Sequence, residues 1–335
     1  MPIFQTGNET VLLGVELNNY CSLSCTHCLR NLKGSPENFP PKLLRKILKE
    51  AKQFGSKIVG FTGGEPTLHP KLDEILDIVD EEGYRCYFVT NASRFEIISK
   101  KLVSRKDIVA GISFSIDGAV EATHDFIRGK GSFRQVMTAV ANCHGEKIPF
   151  NLQMCVNAKN KHEIAQIATM AAQLGVEDLF YALPIPTPEL VKNNLLLSPD
   201  ECRKVEDEVN KLKRQFNFDI FMAVGYFVEN PLFLCRAQGM SALNFDFSGN
   251  LTLCCQLSNY RNSKSKIDII AGMADSSLLN AIIKLRDHVN RFAKEKTRVI
   301  QSGSMKKIDY FPCFYCTKWH GKLDWLKEMN SNPWN

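Results

Sequence analysis

The sequence is poor in the features that would send a chain into or across a membrane. Among 335 residues there are 3 Trp and 7 His, and no apolar run approaches the ~20 residues of a membrane helix. The start, Met1-Pro2-Ile3-Phe4-Gln5-Thr6-Gly7, lacks the basic residues and following apolar stretch of a secretory signal. There is no internal repeat and no low-complexity tract. These absences lead to the expectation of a cytoplasmic protein without membrane association. The length is ample for a packed core, with room for one large domain or two.

Charge of one sign is also scarce, except locally. The formal net charge is +6. Between Arg261 and Lys307 stand eleven basic residues against four acids, which accounts for the whole excess. Such a run is ordinarily a solvated face, and its sharper reading is a docking patch for an acidic partner. Aromatic interleaving is thin there, so nucleic-acid binding is disfavoured.

What the chain has in quantity is cysteine, 12 in all. In a large chain without a signal, cysteines indicate metal binding or catalysis before disulfides. Cys21, Cys25 and Cys28 form a C-x3-C-x2-C pattern just after an apolar run. Cys235, Cys254, Cys255, Cys313 and Cys316 lie late. Cys86, Cys143, Cys155 and Cys202 sit in apolar or helical contexts and are expected to pack as small hydrophobes. Three thiols on one loop suit an iron–sulfur cluster and leave one iron without a protein ligand. A structural zinc loop or three unrelated buried thiols are the alternatives.

From Val11 to about Phe216, strand-like and helix-like segments alternate. Strands are expected at 11–18, 57–62, 84–90, 108–116, 150–156 and 179–183, with helices at 40–55, 72–82, 95–104, 133–143, 162–174 and 198–216. Ser198-Pro199-Asp200-Glu201 is a capping-box start. Six βα units imply a parallel sheet curled into a partial (β/α)6 TIM-like barrel over residues 9–216, with the functional loops at the C-terminal ends of the strands. After about Asn217 the pattern changes. Residues 242–254 read as a β-hairpin around Gly249-Asn250, and 276–294 as an amphipathic helix, so 217–335 is expected to form a small α+β domain.

The chemistry-bearing residues fall on the expected loops. Gly63-Gly64-Glu65-Pro66 follows the second strand, Asn91 the third, and Ser113, Ser115 and Asp117 the fourth. The two glycines allow close backbone approach to a ligand. Glu65 or nearby carbonyls could accept from a cationic amino group, Ser113, Ser115 and Asp117 could accept from hydroxyls, and Arg128 could pair with a carboxylate. Tyr20, Asn91 and Gln153 are weaker candidates.

Cys21-x3-Cys25-x2-Cys28 followed by Gly63-Gly64-Glu65-Pro66 resembles the radical S-adenosylmethionine (SAM) superfamily, and the resemblance covers nearly the whole chain. It implies a [4Fe–4S] cluster on Cys21, Cys25 and Cys28, with SAM chelating the open iron. One electron would cleave SAM to methionine and a 5′-deoxyadenosyl radical, which abstracts a substrate hydrogen atom. Gly63, Gly64, Glu65, Pro66, Asn91, Ser113, Ser115, Asp117 and Arg128 would then be cofactor-binding.

The late pattern, Cys235-x13-Gly249-x4-Cys254 and then Cys313-x2-Cys316, resembles the auxiliary-cluster extensions called SPASM and Twitch. No cysteine follows Cys316, which departs from the longer SPASM pattern. The resemblance therefore implies one auxiliary [4Fe–4S] cluster on Cys235, Cys254, Cys313 and Cys316, serving electron transfer, with zinc in the same cage as the chemical alternative. Cys255, expected on an extended strand, would face away from Cys254 as a spare thiol, an alternative ligand or a hydrogen-atom donor.

Relatives with such extensions modify ribosomally made peptides or oxidise small molecules such as aminocyclitols. Modification of a peptide or protein by oxidation, cross-linking or epimerisation is the leading expectation, and a small-molecule dehydrogenase or epimerase is second. A leader-binding domain ahead of the barrel is expected to be absent. The basic segment would dock flavodoxin or ferredoxin as reductant. RNA modification and a non-catalytic iron–sulfur carrier complete the alternatives.

Overall fold

The computed structural model describes residues 11–32, 34–223, 225–328 and 334, so the outer ends of both expected domains lie outside the described residues. Ten strands form one sheet: β1 (Leu12–Glu16), β2 (Ile58–Thr62), β3 (Arg85–Thr90), β4 (Val109–Ser115), β5 (Phe150–Cys155), β6 (Asp178–Ala182), β7 (Asp219–Met222), β8 (Ala242–Phe245), β9 (Asn250–Thr252) and β10 (Ile269–Gly272). Their order is β10-β9-β8-β1-β2-β3-β4-β5-β6-β7. All pairings from β8 through β1 to β7 are parallel, and β8-β9 and β9-β10 are antiparallel. The helices are α1 (Pro41–Ala51), α2 (Leu72–Glu81), α3 (Phe95–Val103), α4 (Glu121–Arg128), α5 (Ser132–Glu146), α6 (Ile164–Leu174), α7 (Pro188–Lys192), α8 (Pro199–Leu212), α9 (Leu278–Gln301) and α10 (Pro312–Trp319).

This is the expected α/β architecture, a run of parallel strands joined by helices as in a partial TIM-like barrel. The first strand beyond residue 217, β7, continues the parallel run beside β6, and β8 returns to pair with β1. The expected hairpin is β8-β9. The last long helix begins at Leu278, capped by Ser277, and runs further than its pattern suggested. Three short helices, α4, α7 and α10, have too few turns for a sequence period to reveal them.

The two faces of the strands are chemically opposite. One face meets the helices: Phe114 of β4 packs edge-on to Phe95 of α3, and Tyr181 of β6 donates to the Ile164 carbonyl at the start of α6. Leu13, Val15, Val59, Phe61, Phe88 and Leu152 are fully buried there. The other face carries Gly14, Glu16, Gly60, Ser113, Asn151 and Asp178, with Asn151 donating to Asp178 at 2.9 Å. A Cβ on Gly60 would lie 2.2 Å from the Tyr87 ring of β3, so that glycine makes room for the tyrosine. A polar inner face does not serve as plain packing. It lines the space where function resides.

Helix α8 shows how local sequence sets an end. Ser198 accepts from the Glu201 N–H while Glu201 accepts from the Ser198 N–H, and Pro199 fills the first position. Glu201 also takes Lys161 Nζ at 2.5 Å. Lys161 first, then the cap, pulls the Glu201 carboxyl down to about 2. A depressed carboxylate stabilises above its unfolded value and loses that contribution as pH falls through the folded one. Between about pH 4.5 and 2, urea denaturation should therefore show stability draining away in the native chain. Glu201→Gln should be less stable at neutral pH and should fall less steeply over that window; parallel slopes for the two proteins would contradict this.

Candidate active site

The loop after β1 is held by main chain to the loop after β2. Leu17 N–H donates to Thr62 O at 2.8 Å, Gly64 N–H to Asn18 O at 2.9 Å and Glu65 N–H to Tyr20 O at 2.8 Å. This contact is possible because residues 63 and 64 lack side chains. A Cβ on Gly64 would stand 1.9 Å from the Tyr20 carbonyl oxygen, and one on Gly63 2.5 Å from that of Asn18, with Gly63 also at φ +132°. The close partner of these glycines is thus the backbone that leads into Cys21.

Glu65 then ties in the third loop. Its buried carboxylate accepts from Thr67 N–H and Oγ1, from Thr90 Oγ1 at 2.7 Å and from the Asn91 N–H at 2.8 Å. The expected acceptor role of Glu65 for a ligand amine is therefore reassigned: all four donors are the protein's own, and the side chain is a staple. Its carbonyl accepts from Asn18 Nδ2 at 2.7 Å. Asn91, so positioned, donates through Nδ2 to Cys21 Sγ at 3.2 Å, and the Leu23 N–H reaches the same sulfur at 3.4 Å. Pro66 opens a single 3-10 turn. The Tyr20 hydroxyl is used at Asn38 and Leu68, away from the thiols.

Asp117 and Arg128 are brought together rather than offered separately. Arg128 Nε meets Asp117 Oδ2 at 2.5 Å, and Asp117 Oδ1 accepts from the Cys155 N–H at 2.8 Å. The Asp117 carboxylate is thereby engaged inside the protein, which corrects its reading as a free hydroxyl acceptor. His27, partly buried, lies 3.6 Å from Asp117, and desolvation pushes its imidazole down to about 4, so it is neutral near pH 7. The Arg128 guanidinium is the largest favourable influence on the Cys25 thiolate, which burial otherwise disfavours. Ser113 Oγ is buried without a hydrogen-bond partner, on the inner face one step below half-buried Ser115. Gln153 shares that face on β5, in register with Ser115.

The late cysteines converge as well. Cys235, Cys254, Cys313 and Cys316 wall one small cavity of about 30 Å³, completed by Ala237, Leu253, Leu257 and Pro312 and by the polar Gln238, Gln256 and Thr317. Cys313 and Cys316 share a face of α10 at i,i+3 spacing. Polar hydrogens point at the sulfurs: the Gln256 N–H at Cys254 Sγ, 3.4 Å, and Gln238 Nε2 at Cys316 Sγ, 3.8 Å. Cys255 lies in a turn, not on an extended strand, because β9 ends at Thr252. It is absent from the cavity wall, yet it lies within electrostatic reach of Cys235, Cys254 and Cys313 as well as of Glu16, Arg30 and Tyr87.

Each thiol set has the polar surroundings that thiolate ligands require. Thiolates buried in apolar surroundings need nearby cations and N–H donors, and each set has them. Among the described residues no three Cys, His, Asp or Glu side chains converge tightly enough for a single metal ion. A cubane cluster asks less convergence, since each thiolate bonds its own iron.

Sequence reasoning missed Glu16 and Arg30, an ion pair at 2.7 Å between β1 and the loop after Cys28. The one available signal was an acid inside an otherwise apolar strand. It also missed that the basic segment is partly used internally. Arg261 donates to the Cys28 carbonyl, Lys296 is buried, and Lys307 pairs with Asp200.

The loop contact gives a direct expectation. Gly64→Ala should lower the thermal midpoint and reduce the iron taken up by the first thiol set on reconstitution to less than about half, because overlap with main chain is relieved only by moving the cysteine loop. Gly145→Ala, in α5 with open space around it, is the matched control and should stabilise by about 0.5–1 kcal/mol. Equal iron uptake in Gly64→Ala and the control would contradict the contact's importance.

Comparison with known proteins agrees with this geometry. The chain is 28% identical over 219 residues to Fe-coproporphyrin III synthase of Methanosarcina barkeri, covering 63% of this chain and 53% of that protein. It is 28% identical over 175 residues to mycofactocin maturase MftC of Mycobacterium tuberculosis, covering 51% and 44%. The chain thus spans about half the length of the curated relatives it matches. The structure of anSMEcpe with bound AdoMet and the Cp18Cys peptide has the same fold, with a TM-score of 0.65 at 17% identity, covering 95% of this chain and 97% of that one. The family described as the radical SAM superfamily matches residues 15–171, and this stretch, which delivers the three-cysteine loop, the glycine pair and the Asp117–Arg128 pair to one end of the sheet, is a radical SAM domain.

Proposed function

We propose that this chain is a radical SAM enzyme that modifies a ribosomally made peptide or protein, with a second cluster in residues 217–335 for electron transfer. The observation that carries the reading is the Cys21–Cys28 loop held by main chain against Gly63-Gly64, with Asn91 donating to Cys21. Cys21, Cys25 and Cys28 would hold a [4Fe–4S] cluster, and Cys235, Cys254, Cys313 and Cys316 an auxiliary one. When bound, the first cluster supplies the electron that cleaves SAM and so starts hydrogen abstraction.

The chain's own residues set the conditions. Gly63 and Gly64 fix the loop close to β2. Glu65 locks the third loop so that Asn91 can orient Cys21. Arg128, anchored through Nε to Asp117, places positive charge beside Cys25 and keeps its Nη nitrogens outside that bond, available to a carboxylate. Ser113 and Ser115 offer hydroxyls on the inner face. Cys255, within electrostatic reach of Glu16 and Arg30, would serve as the thiol that gives a hydrogen atom to a substrate radical.

Peptide modification is supported by relatives named as maturases and by the peptide-bound structure of the same fold. A small-molecule substrate is the second reading, favoured by a relative named for an iron porphyrin product. The exposed cations of α9 are the docking surface for a flavodoxin or ferredoxin, and a cytoplasmic location follows from that reductant. No helix of the described residues is long and apolar enough to cross a membrane.

Anaerobically reconstituted protein should carry about eight irons per chain, falling to about four in Cys313→Ala. Cys21→Ala should abolish 5′-deoxyadenosine formation. Cys313→Ala should retain SAM cleavage within about threefold but lower product formation by at least about 100-fold, or ~2.7 kcal/mol. Product at the native rate with the auxiliary cluster absent would refute the electron-transfer role. A peptide encoded beside the gene that is unchanged by the active enzyme, together with turnover of a small molecule, would decide for the second reading.

A further inference from the structure

The two thiol sets lie far apart in sequence, yet the segments that follow them are zipped together. Arg30 and Tyr260 form an antiparallel bridge. Asn31 N–H donates to Asn259 O and Arg261 N–H to Leu29 O, each at 2.8 Å. Asn259 Nδ2 donates to Asn31 O at 3.0 Å, and Arg261 Nη1 to Cys28 O at 3.1 Å. The residues right after Cys28 are therefore paired with those right after Cys254 and Cys255.

One side chain runs through this junction. Arg30, 9% exposed, donates from Nη1 to the Ser258 carbonyl at 2.5 Å and meets Glu16 Oε1 at 2.7 Å, off the line of a hydrogen bond. Ser258 Oγ closes the ring by donating to Glu16 Oε2 at 3.2 Å. Glu16 ends β1, the strand that launches the first cysteine loop. Cys28, Cys254 and Cys255 all lie within electrostatic reach of the guanidinium. A surface arginine would not be desolvated in this way, and a buried one persists when its charge and donors are matched on several sides.

We propose that Arg30 is a positioning residue shared by both thiol sites: with Glu16 and Ser258 it fixes the turn bearing Cys254 and Cys255 against the loop bearing Cys28, and it supplies one positive charge to both. Arg30 thus adds to the main-chain bonds of the junction a side chain that reaches toward both sites. The part about charge rests on the two-cluster reading given above, and the part about the clamp does not.

The test uses the full chain and two readouts. In Arg30→Met, hydrogen exchange at the Asn31 and Arg261 amides should accelerate about tenfold or more, because the charge-assisted bonds that close the junction are gone. In EPR-monitored titrations of the reconstituted protein, the reduction potentials of both clusters should become more negative, since each loses a nearby cation. Arg30→Lys should bring the potentials back toward native while leaving exchange fast, as it restores charge without the planar fork. Should Arg30→Met fail to fold, Glu16→Gln/Arg30→Met removes both buried charges and serves in its place. Unchanged exchange at both amides, or a shift confined to one cluster, would overturn the proposal. If native protein binds only four irons, the two-cluster reading fails by itself, and exchange alone decides whether Arg30 clamps the loops.

Discussion

The backbone contact between residues 17–20 and 62–65 is the constraint on which the rest of the site depends. Two N–H···O bonds there require main chains closer than any side chain at position 64 would permit. Once the contact forms, Glu65 is fixed, and its carboxylate carries the constraint to the third loop through Thr90 and Asn91. Asn91 then addresses Cys21. Three loops from three parallel strands are thus rigidified by neutral donors and one buried carboxylate, a preorganised arrangement that costs little at the moment of reaction.

Electrostatics imposes the next layer. Burial pushes the thiols of Cys21 and Cys25 above their ordinary range, to about 11 and about 12, so thiolates survive here only with compensation. Arg128, largely buried and anchored on Asp117, provides it for these two thiols, and buried Arg30, paired with Glu16, lies within reach of Cys28, Cys254 and Cys255. Removing one member of such a pair typically costs about 3–5 kcal/mol, because the other charge is left desolvated. The arginines are therefore structural and electrostatic at once. Glu16 shows the tension: burial raises its carboxyl to about 7 even with Arg30 beside it.

The sheet supplies the geometry that joins the two halves. By returning to pair with β1, β8 brings residues 254–261 over the end of the same strand that launches Cys21, and the Arg30–Tyr260 bridge completes the contact. Cys254 lines the cavity of the late thiols, and Cys255 opens a turn after β9 where an extended strand was expected.

The alternation of apolar runs and amphipathic helices in the sequence by itself determined the parallel α/β fold, since each period reports a face that must be buried. The cysteine spacing and the glycine pair likewise determined the superfamily, because short-spaced thiols and residues without Cβ have few other uses in that order. Short helices such as α10 were not legible, having too few turns to show a period. Only the tertiary structure decided what each polar residue does. Asp117 and Glu65 look like free acceptors along the chain, and folding turns them inward onto Arg128, Cys155, Thr90 and Asn91. Glu16 and Arg30 carry no motif at all, because their pairing joins a strand, a loop and a turn more than two hundred residues apart, and only the return of β8 to β1 makes them neighbours.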